Sequence, residues 1–439
     1  MTLPSRPRQA ARRALLGAGV GVGLGLGLGL AAQLGVAMAG GTARRQVVVL
    51  GAGWAGLAAA HALRQFAGEL DVHLLDRARH FRALPLSSAW LVGRTPERLP
   101  QVALADWAAG RGLRFTAAEV SAIDHERRLV HAGGERLRYD WLLLAGGIAY
   151  DYGAWFGSDE RAAQQARSAF PAGFVASELD ALRQRLQAFE GGTLVTTVPA
   201  GPLRCPPAPY ERAVLLSWWL RSRGLRAKLV VLDAGGGMPR FNRLFASRHA
   251  GWIEHHTHQT VRHIDPFAKT IGTDDGDLRF EHAMLLPPLR AGALFDDAAL
   301  LARDSAGHGT GWAAVQPLTL RSSSDERVWI AGDALGLVSS LFGTYPKTAQ
   351  IAAETGAAAA AQIAAASRGL PPPPTALPAG ACHVWLDAEP PEQLQIEVSH
   401  RLRGDGVIAQ TVRQIDNPQP RDEDLQWARE LMARRLGMA

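Results

Sequence analysis

The segment that most constrains this chain is a glycine-rich motif at residues 51–56, GAGWAG, which has the spacing G-x-G-x-x-G. It follows a short run of β-branched residues and precedes a segment whose apolar residues have helical spacing. In such a motif the first glycine, here Gly51, allows a tight turn, the second, Gly53, lets the backbone approach a pyrophosphate, and the third, Gly56, lets helix and strand pack closely. Asp76 stands twenty residues later, at the end of a second predicted strand, where a carboxylate accepts hydrogen bonds from ribose hydroxyls. The sequence therefore predicts a dinucleotide-binding strand–helix–strand unit rather than an ordinary glycine-rich loop.

Two later motifs favour FAD as the dinucleotide. Residues 139–147, YDWLLLAGG, resemble the strand that returns to the cofactor in flavoproteins with two dinucleotide-binding domains. Residues 328–334, VWIAGDA, resemble the G-D motif of the same proteins, whose aspartate, here Asp333, binds the ribityl chain. Taken alone, Asp333 has a common alternative role as the cap of the segment that follows it. Because the three motifs occur in the expected order, together they predict an FAD site.

The second predicted βα unit differs from the first in its loop. A strand at residues 193–198 leads through the segment PAGPLRCPPAPYERA into a helix from about residue 209 to 223. In a pyridine-nucleotide reductase this loop carries a second glycine motif that seats NAD(P)H. The prolines found here lack the amide hydrogens that a phosphate cradle requires. We therefore expect a degenerate NAD site, and an NADH-linked reductase is the weaker alternative.

The same loop, with RCPPAPYERA at residues 204–213, and the segment LLPPLRAGAL at residues 285–294 resemble the flavoprotein subunit of flavocytochrome c sulfide dehydrogenase. Members of that family are exported, oxidise sulfide at a flavin beside a redox-active cysteine pair, and pass electrons to a c-type haem subunit. The resemblance implies further cofactor contacts from Val120, Gly147 and Lys347. It also implies a c-type cytochrome subunit or a soluble cytochrome as partner, and a small sulfur compound as substrate.

The chain departs from this family at its cysteines. The family's first redox cysteine falls on Cys205, which is the candidate catalytic residue, but the second falls on Leu335. The cysteine that attaches the flavin covalently falls on Leu84, so we expect FAD to be held non-covalently. Cys382 is the only other cysteine of the chain and lies in a C-terminal stretch outside the family's redox pair.

Cys205 has three interpretations. It follows a predicted strand and precedes a helix, so the helix N-terminus and Arg204 are expected to lower the pKa of its thiol and make it a nucleophile or persulfide carrier. Alternatively, it is a cysteine retained for packing, because its family partner is missing. A bridge between Cys205 and Cys382 is the third interpretation, which depends on the distance between them.

We predict an α/β fold with two Rossmann-like domains of the glutathione-reductase type and a small α+β C-terminal domain. Strands alternate with helices through most of the chain, including an alanine-rich helix at residues 347–367. After a stretch of four prolines, alternating apolar residues and an amphipathic helix at residues 422–436 predict the third domain. The predicted divisions are a signal peptide at 1–39, the FAD-binding domain at 45–155 and 281–370, the second Rossmann-like domain at 156–280, and the C-terminal interface domain at 371–439.

The first 39 residues predict export. They contain four arginines and no acid, continue with a glycine- and leucine-rich run, and end in Ala-Met-Ala. The adjacent Arg12 and Arg13 resemble a twin-arginine signal, which exports proteins already folded around a cofactor. We expect a periplasmic protein without a membrane span after cleavage behind Ala39, and an uncleaved anchor is the alternative.

Charge and histidine content argue against two other classes of site. The net charge is +6, and the four arginines of the predicted signal leave an excess of only two positive charges in the remaining chain. Scattered charge of this size does not make the basic patch that nucleic acid requires, so we expect no nucleic-acid partner. The histidine-rich stretch at residues 255–263 suggests a metal site, but adjacent residues on a strand point to opposite faces. We predict no metal.

These patterns predict an exported FAD-dependent oxidoreductase that takes electrons from sulfide or another reduced sulfur compound and transfers them to a c-type cytochrome. A flavin dehydrogenase for a non-sulfur substrate is one alternative. A non-catalytic flavin-binding subunit that stabilises a haem partner is another.

Overall fold

The computed structural model describes residues 44–95, 98–296, 300–374 and 376–438. The predicted signal peptide lies outside these residues. The strands, in chain order, are β1 (Gln46–Leu50), β2 (Asp71–Asp76), β3 (His80–Arg82), β4 (Gln101–Ala103), β5 (Arg114–Ala117), β6 (Val120–Asp124), β7 (Leu129–Ala132), β8 (Glu135–Arg138), β9 (Trp141–Leu144), β10 (Ile148–Tyr150), β11 (Gly192–Val198), β12 (Ala227–Asp233), β13 (Ile253–Thr257), β14 (His263–Asp265), β15 (Thr270–Thr273), β16 (Gly276–Arg279), β17 (His282–Met284), β18 (Leu289–Ala291), β19 (Leu301–Arg303), β20 (Gly309–Ala313), β21 (Val328–Ile330), β22 (Gly380–Ala388), β23 (Pro391–Leu402) and β24 (Ile408–Asn417). The helices are α1 (Trp54–Phe66), α2 (Ser87–Leu91), α3 (Leu104–Ala109), α4 (Gly153–Phe156), α5 (Glu160–Ala169), α6 (Leu179–Gln187), α7 (Ala208–Ser222), α8 (Pro239–Ala246), α9 (Ala349–Ser367) and α10 (Glu423–Leu436).

The first parallel sheet has the strand order β21-β9-β1-β2-β5. Its central strand β1 contains three consecutive fully buried valines and pairs with β2 on one side and β9 on the other. Buried β-branched residues are typical of a parallel strand that helices cover on both faces. Because β21 pairs with β9, a late segment of the chain completes a sheet that otherwise comes from its N-terminal part.

Helices α1 and α9 pack closely against each other beside this sheet. The contact is between small residues, because a Cβ atom at Gly356 of α9 would lie 2.1 Å from the carbonyl oxygen of Ala55. The first residues of both helices, Trp54 and Ala349, line the same cavity. The close helix contact therefore fixes two walls of that cavity relative to each other.

The second parallel sheet has the order β13-β12-β11-β17. Strands β11 and β12 pair over seven residues, from Gly192 with Ala227 to Val198 with Asp233. Strand β17 pairs with β11 through His282 and its two successors. This strand lies beyond the predicted division at residue 280 and belongs to the second sheet.

A three-stranded antiparallel sheet, β22-β23-β24, and α10 form the C-terminal part of the chain. The predicted alternating segment lies in β23, and the predicted terminal helix is α10. Strand β22 is not predicted by the sequence pattern, and it lies against α7, where the carboxylate of Glu211 accepts the amide of Trp385 at 3.1 Å. Arg248 adds ion pairs to Asp387 and Glu392. This sheet is thereby anchored to the second parallel sheet.

Two parallel-sheet cores flanked by helices confirm the predicted α/β class. Among the described residues, no helix combines the length and the apolar character needed to cross a bilayer.

Candidate functional site

A cavity of about 310 Å³ lies at the carboxyl ends of the strands of the first sheet. Residues that follow or end four of these strands line it: Ala52, Asp76, Gly147 and Asp333. Open α/β sheets bind their ligands in this position, and the volume lies within the roughly 300–1,000 Å³ of small-molecule sites. The opposite wall comes from the start of α7, from β22 and from α10. The two parallel sheets and the C-terminal part of the chain therefore meet at one cavity.

The three glycines of the first loop differ in the space around them. Gly51 has a φ of +99°, and a Cβ atom there would lie 2.4 Å from the carbonyl oxygen of Ala145. A Cβ atom at Gly56 would lie 1.7 Å from the carbonyl oxygen of Gly51, which shows how closely helix and strand approach. Gly53 differs because a Cβ atom there would meet nothing within 4 Å, and this residue lines the cavity. Gly51 and Gly56 thus shape the turn, while Gly53 leaves its backbone open to a ligand.

Asp76 and the start of α1 form an anion-compatible end of the cavity. The carboxylate of Asp76 accepts the amides of Ala52 at 2.6 Å and Ala78 at 2.7 Å. An ionised carboxylate has about four acceptor positions, so it retains capacity for hydroxyl donors. No side chain caps the N-terminus of α1 and its first turn holds no acid, so the positive end of the helix dipole faces the glycine loop.

Asp333, Arg204 and Lys347 form a charged cluster in the middle of the cavity wall. Arg204 Nε lies 3.1 Å from Asp333 Oδ2. Lys347 Nζ donates to the carbonyl oxygens of Asp333 at 2.7 Å and Leu335 at 3.0 Å, and lies 4.0 Å from the centre of the Trp312 ring. Burial lowers the pKa of Lys347 to about 8. The cluster keeps a positive charge fixed beside the G-D segment.

Cys205 lies where the second sheet contributes to the cavity. Its φ is +51°, its amide donates to the carbonyl oxygen of Lys347 at 2.7 Å, and its own carbonyl accepts the amide of Ala208 at 2.8 Å. Cys382 on β22 lines the same cavity, and its side chain lies close enough to influence the pKa of the Cys205 thiol. The structure therefore brings together the two cysteines whose separation the sequence left open, as free thiols.

The predicted lowering of the Cys205 pKa is wrong. The hydrogen bond to Cys382 raises the pKa of this thiol well above its ordinary value, and burial and the nearby Glu211 act in the same direction. Arg204 is engaged elsewhere, by Asp333 and by the carbonyl oxygen of Phe174 at 3.0 Å. The positive potential expected at Cys205 is thus directed to the carboxylate of the G-D segment.

Glu211 lines the cavity but is not among the site residues predicted from the sequence. It lies in the first turn of α7, lines the cavity beside Cys205, and burial raises the pKa of its carboxyl to about 7. The signal was present in the sequence, since the PYERA segment places an acid six residues after Cys205. This spacing places both residues near the start of one helix, but it does not predict that the carboxyl of Glu211 is buried.

The remaining predicted positions divide into those at the cavity and those away from it. Gly147 lines it with a φ of +65°, and Leu84 lines it without a thiol. Leu335 is buried, at 2% exposure, and its carbonyl binds Lys347. Val120 begins β6, in the sheet β6-β7-β8, and does not line the cavity, so its cofactor contact stays a prediction.

The histidine-rich stretch begins on β13 and ends on β14, away from the cavity. His255 Nε2 pairs with Asp233 at 3.1 Å, whereas its neighbour His256 pairs with Glu254 at 2.7 Å. Adjacent histidines thus bind different carboxylates. Within the described ranges, no group of three or more His, Cys, Asp or Glu side chains is placed to hold a metal ion.

Comparisons with known proteins agree with this arrangement. Residues 45–154 match the family model of pyridine nucleotide-disulphide oxidoreductases. The fold of this part of the chain agrees with that match. Residues 179–286, which include Cys205 and Glu211, match the model of the central part of the sulfide dehydrogenase (flavocytochrome c) flavoprotein chain. This second match agrees with the sequence resemblance to that flavoprotein.

Two curated relatives carry related names. The sulfide-quinone reductase of Aquifex aeolicus (strain VF5) is 26% identical over 237 residues, which cover 51% of this chain and 53% of that protein. The mitochondrial sulfide:quinone oxidoreductase of Schizosaccharomyces pombe (strain 972 / ATCC 24843) is 24% identical over 331 residues, covering 67% and 69%. The match thus spans about half the length of the first relative and about two thirds of the second.

Solved structures agree on the fold. The sulfide:quinone oxidoreductase of Aquifex aeolicus superimposes with a TM-score of 0.68 at 18% identity, covering 90% of this chain and 92% of that one. The NAD-dependent persulfide reductase from A. fulgidus gives a TM-score of 0.60 at 13% identity, covering 88% and 77%. At these identities the likeness concerns the fold.

The cavity fits FAD without a covalent bond. The open side of Gly53 and the uncapped start of α1 suit a pyrophosphate, and the carboxylate of Asp76 suits ribose hydroxyls. Asp333, the predicted partner of the ribityl chain, lines the cavity, and Lys347 is held beside it. Leu84 offers no sulfur for a thioether.

Proposed function

We propose that this chain is an exported FAD-dependent oxidoreductase that oxidises sulfide or another small reduced sulfur compound and transfers the electrons to a c-type cytochrome. The observation that carries the proposal is the composition of the cavity. One wall fits FAD, and the facing wall carries both cysteines of the chain and a buried carboxyl with a pKa of about 7. Residues suited to a dinucleotide and the two thiols therefore line the same cavity, which supports the proposal.

When bound, FAD supplies a group that accepts two electrons together and releases them singly, and the chain supplies position and charge. Lys347 holds a positive charge on the carbonyl oxygens of the G-D segment, close to the predicted ribityl site. That charge favours anionic reactants and negative charge that develops nearby.

Glu211 is suited to proton transfer at the sulfur end of the cavity. With a pKa of about 7, its carboxyl is present in both protonation states at neutral pH, which is the condition for an efficient general acid or base. It lies close enough to Cys205 to influence the pKa of that thiol. In the proposed reaction it accepts the proton of a sulfur nucleophile or returns one to a leaving thiolate.

Two observations support different electron acceptors. The match to the sulfide dehydrogenase (flavocytochrome c) model supports a cytochrome, whereas both curated relatives are named for quinone. We favour the cytochrome because the predicted twin-arginine signal directs the chain to the compartment where c-type cytochromes work. Steady-state assays with sulfide and either a soluble c-type cytochrome or a short-chain quinone separate the two, and turnover with quinone alone contradicts the cytochrome proposal.

Stopped-flow mixing of sulfide with the purified flavoprotein tests the substrate. We expect loss of the oxidised flavin absorbance, whereas unchanged absorbance removes sulfide from the proposal. Dithionite serves as the control that the flavin is reducible. Bleaching by an organic substrate but not by sulfide favours the non-sulfur dehydrogenase, and reducibility by dithionite alone favours a flavin-binding subunit without catalysis.

The export proposal is tested separately. Substituting Arg12→Lys and Arg13→Lys together is expected to retain the protein in the cytoplasm, because the paired arginines are the feature on which the twin-arginine assignment rests. Cell fractionation with antibody detection measures it. Arg6→Lys and Arg8→Lys together keep the same charge and serve as the matched control.

A further inference from the structure

Arg204 belongs to the β11–α7 loop, but its side chain lies among the residues predicted to bind FAD. Its Nε atom lies 3.1 Å from Asp333 Oδ2. A Cβ atom on Gly147 would lie 3.7 Å from its Nη2 atom. Arg204, Asp333 and Gly147 all line the cavity. A loop of the second sheet therefore supplies a guanidinium group to the wall of the cavity that the first sheet builds.

The guanidinium of Arg204 is also held from a second direction. Its Nη1 atom donates to the carbonyl oxygen of Phe174 at 3.0 Å. The segment that contains Phe174 is fixed in turn by Arg212, which donates to the carbonyl oxygens of Ala172 at 2.7 Å and Gly173 at 2.9 Å. Arg212 is 2% exposed, and its guanidinium carbon lies 3.9 Å from the centre of the Phe174 ring. The position of the Arg204 guanidinium is therefore set by a buried network.

The backbone of Arg204 is tied to the segment that follows the G-D motif. Arg204 and Lys347 form an isolated parallel β-bridge, and the amide of Cys205 donates to the Lys347 carbonyl oxygen at 2.7 Å. Lys347 Nζ donates to the backbone carbonyl oxygens of Asp333 and Leu335, whereas Arg204 binds the carboxylate of Asp333. The loop that contains Cys205 thus contacts the G-D segment through both its backbone and the Arg204 side chain.

We infer that Arg204 is a positioning residue for FAD, which orients the carboxylate of Asp333 for the ribityl chain and couples FAD binding to the conformation of the loop that contains Cys205. The inference rests on the proposed function for FAD as the occupant of the cavity, but not for sulfide as the substrate. It gives the second sheet, whose loop lacks a phosphate cradle, a part in binding the cofactor.

The charges of the Arg204–Asp333 pair explain why FAD binding depends on Arg204. The two side chains are only 26% and 11% exposed, and a carboxylate in such surroundings is costly to keep charged without a cation. A hydroxyl group donates a stronger hydrogen bond to an ionised carboxylate than to a neutral acceptor. An ionised carboxylate has about four acceptor positions, and Arg204 uses one of them at Oδ2, so capacity remains for a hydroxyl. Loss of the guanidinium should therefore weaken FAD binding.

The coupling acts in both directions, because linkage between two sites is reciprocal in free energy. If the β11–α7 loop orients Asp333 for FAD, then FAD bound to Asp333 stabilises that loop. The Cys205 amide reports on the loop, since its hydrogen bond to the Lys347 carbonyl must open before the amide exchanges with solvent deuterium. Bound FAD should therefore slow the exchange of this amide.

A double-mutant cycle on FAD affinity tests the pair. The full-length apoproteins of the parent, Arg204→Gln, Asp333→Asn and the double variant are titrated with FAD by fluorimetry. We expect Arg204→Gln to weaken binding about tenfold or more, because the carboxylate loses its cation. The double variant should bind about as weakly as the weaker single variant. Losses that multiply in the double variant, or an unchanged affinity of Arg204→Gln, overturn the inference.

Two further variants separate a specific effect from a general loss of structure. Arg127→Gln removes an exposed arginine that pairs with Asp124, and it should bind FAD like the parent. Arg204→Lys keeps the positive charge but not the fork that reaches both Asp333 and Phe174, so its affinity should lie between those of the parent and Arg204→Gln. If circular dichroism shows that Arg204→Gln does not fold, Arg204→Lys replaces it in the cycle, and an affinity equal to that of the parent overturns the inference.

Hydrogen exchange with detection by mass spectrometry measures the coupling itself. In the parent, saturating FAD should slow the exchange of the peptide that contains Cys205 about fivefold or more. In Arg204→Gln, at an FAD concentration that also saturates the variant, this slowing should be lost. Equal slowing in both proteins shows that FAD covers the loop without any coupling through Arg204, and it contradicts the inference.

Both measurements are made without a sulfur substrate, so failure of this inference and failure of the proposed function give different results. If sulfide bleaches the flavin of the parent but the cycle shows independent losses, the inference fails and the proposed function stands. If the cycle shows coupling but sulfide leaves the flavin absorbance unchanged, Arg204 keeps its assigned role and the proposed oxidation fails. A parent protein that binds no FAD overturns both.

Discussion

The β1–α1 loop and the β11–α7 loop occupy equivalent places in the two parallel sheets, and both line one cavity, but they present opposite chemistry to it. The first exposes the backbone of Gly53 and an uncapped helix N-terminus. The second exposes the thiol of Cys205 and the carboxyl of Glu211, and its helix begins among prolines. The same strand–loop–helix geometry thus presents a backbone suited to an anionic ligand in one case, and a thiol with a carboxyl in the other. The side chains of each loop determine which of these two surfaces it presents to the cavity.

The largest effect is expected where the first loop has no room. Gly56→Ala should destabilise the protein by about 3 kcal/mol or more and abolish FAD retention, because its Cβ atom would lie 1.7 Å from the carbonyl oxygen of Gly51. Thermal unfolding and the flavin content of the purified protein measure this. Gly404→Ala is the matched control, since a Cβ atom there meets nothing within 4 Å. Equal behaviour of the two variants contradicts the close-packing argument.

The second loop is tested through Glu211, whose pKa is about 7 in the folded chain against an ordinary value of 4.5. Between these values the folded chain binds more protons than the unfolded chain, so the free energy of unfolding falls as pH rises from about 4.5 to 7. Glu211→Gln removes this slope. The variant should gain stability relative to the parent across that window, by about 3 kcal/mol, and the difference should level off above it.

Thermal unfolding from pH 4.5 to 8.5 measures the Glu211 effect. Glu430→Gln, at an exposed position of α10, is the control and should follow the parent at every pH. Parallel curves for Glu211→Gln and the parent contradict the raised pKa. The pH dependence of flavin bleaching by sulfide should lose its inflection near neutrality in the same variant.

A smaller effect is expected at Asp76 in the first unit. Asp76→Asn replaces an oxygen acceptor of the Ala52 or Ala78 amide with an amide donor, so we expect a loss of about 1–3 kcal/mol in FAD binding. Fluorimetric titration of the apoprotein with FAD measures it. Asp71→Asn, on the same strand but in an exposed pair with Arg114, should change binding little. Similar losses in both variants point to a general effect of strand charge.

The smallest effect is expected from NADH. Because prolines replace the phosphate cradle in the second loop, NADH should leave the flavin absorbance unchanged over minutes. Reduction by dithionite shows that the flavin is competent. Rapid bleaching by NADH would remove the contrast between the two loops on which the comparison rests.

The first strand–helix–strand unit was predictable because the residues that define it lie close together in the sequence. The strand, three glycines, helix and Asp76 follow each other within about thirty residues, and each has a steric or hydrogen-bonding duty that restricts the residue type. The class of the fold followed from the order of such units. The position of β17 could not be predicted in this way, because a strand of three residues carries no sequence signal that indicates which of the two sheets it joins.

The sulfur side of the site was less predictable because it depends on long-range packing. The neighbourhood of Cys382 and Cys205 follows from the docking of β22 against α7, and β22 itself was not predicted. The direction of the Cys205 pKa failed for a related reason. Adjacency in sequence suggested that Arg204 acts on the thiol, whereas the folded chain turns the guanidinium to Asp333.

Lys347 links the β11–α7 loop to the segment that contains Asp333. Its backbone carbonyl receives the Cys205 amide, while its ammonium group holds the carbonyl oxygens of Asp333 and Leu335. One residue therefore sets the spacing between the sulfur atoms and the G-D segment, so a displacement of either side is transmitted to the other. Shortening this side chain therefore changes a distance as well as a charge.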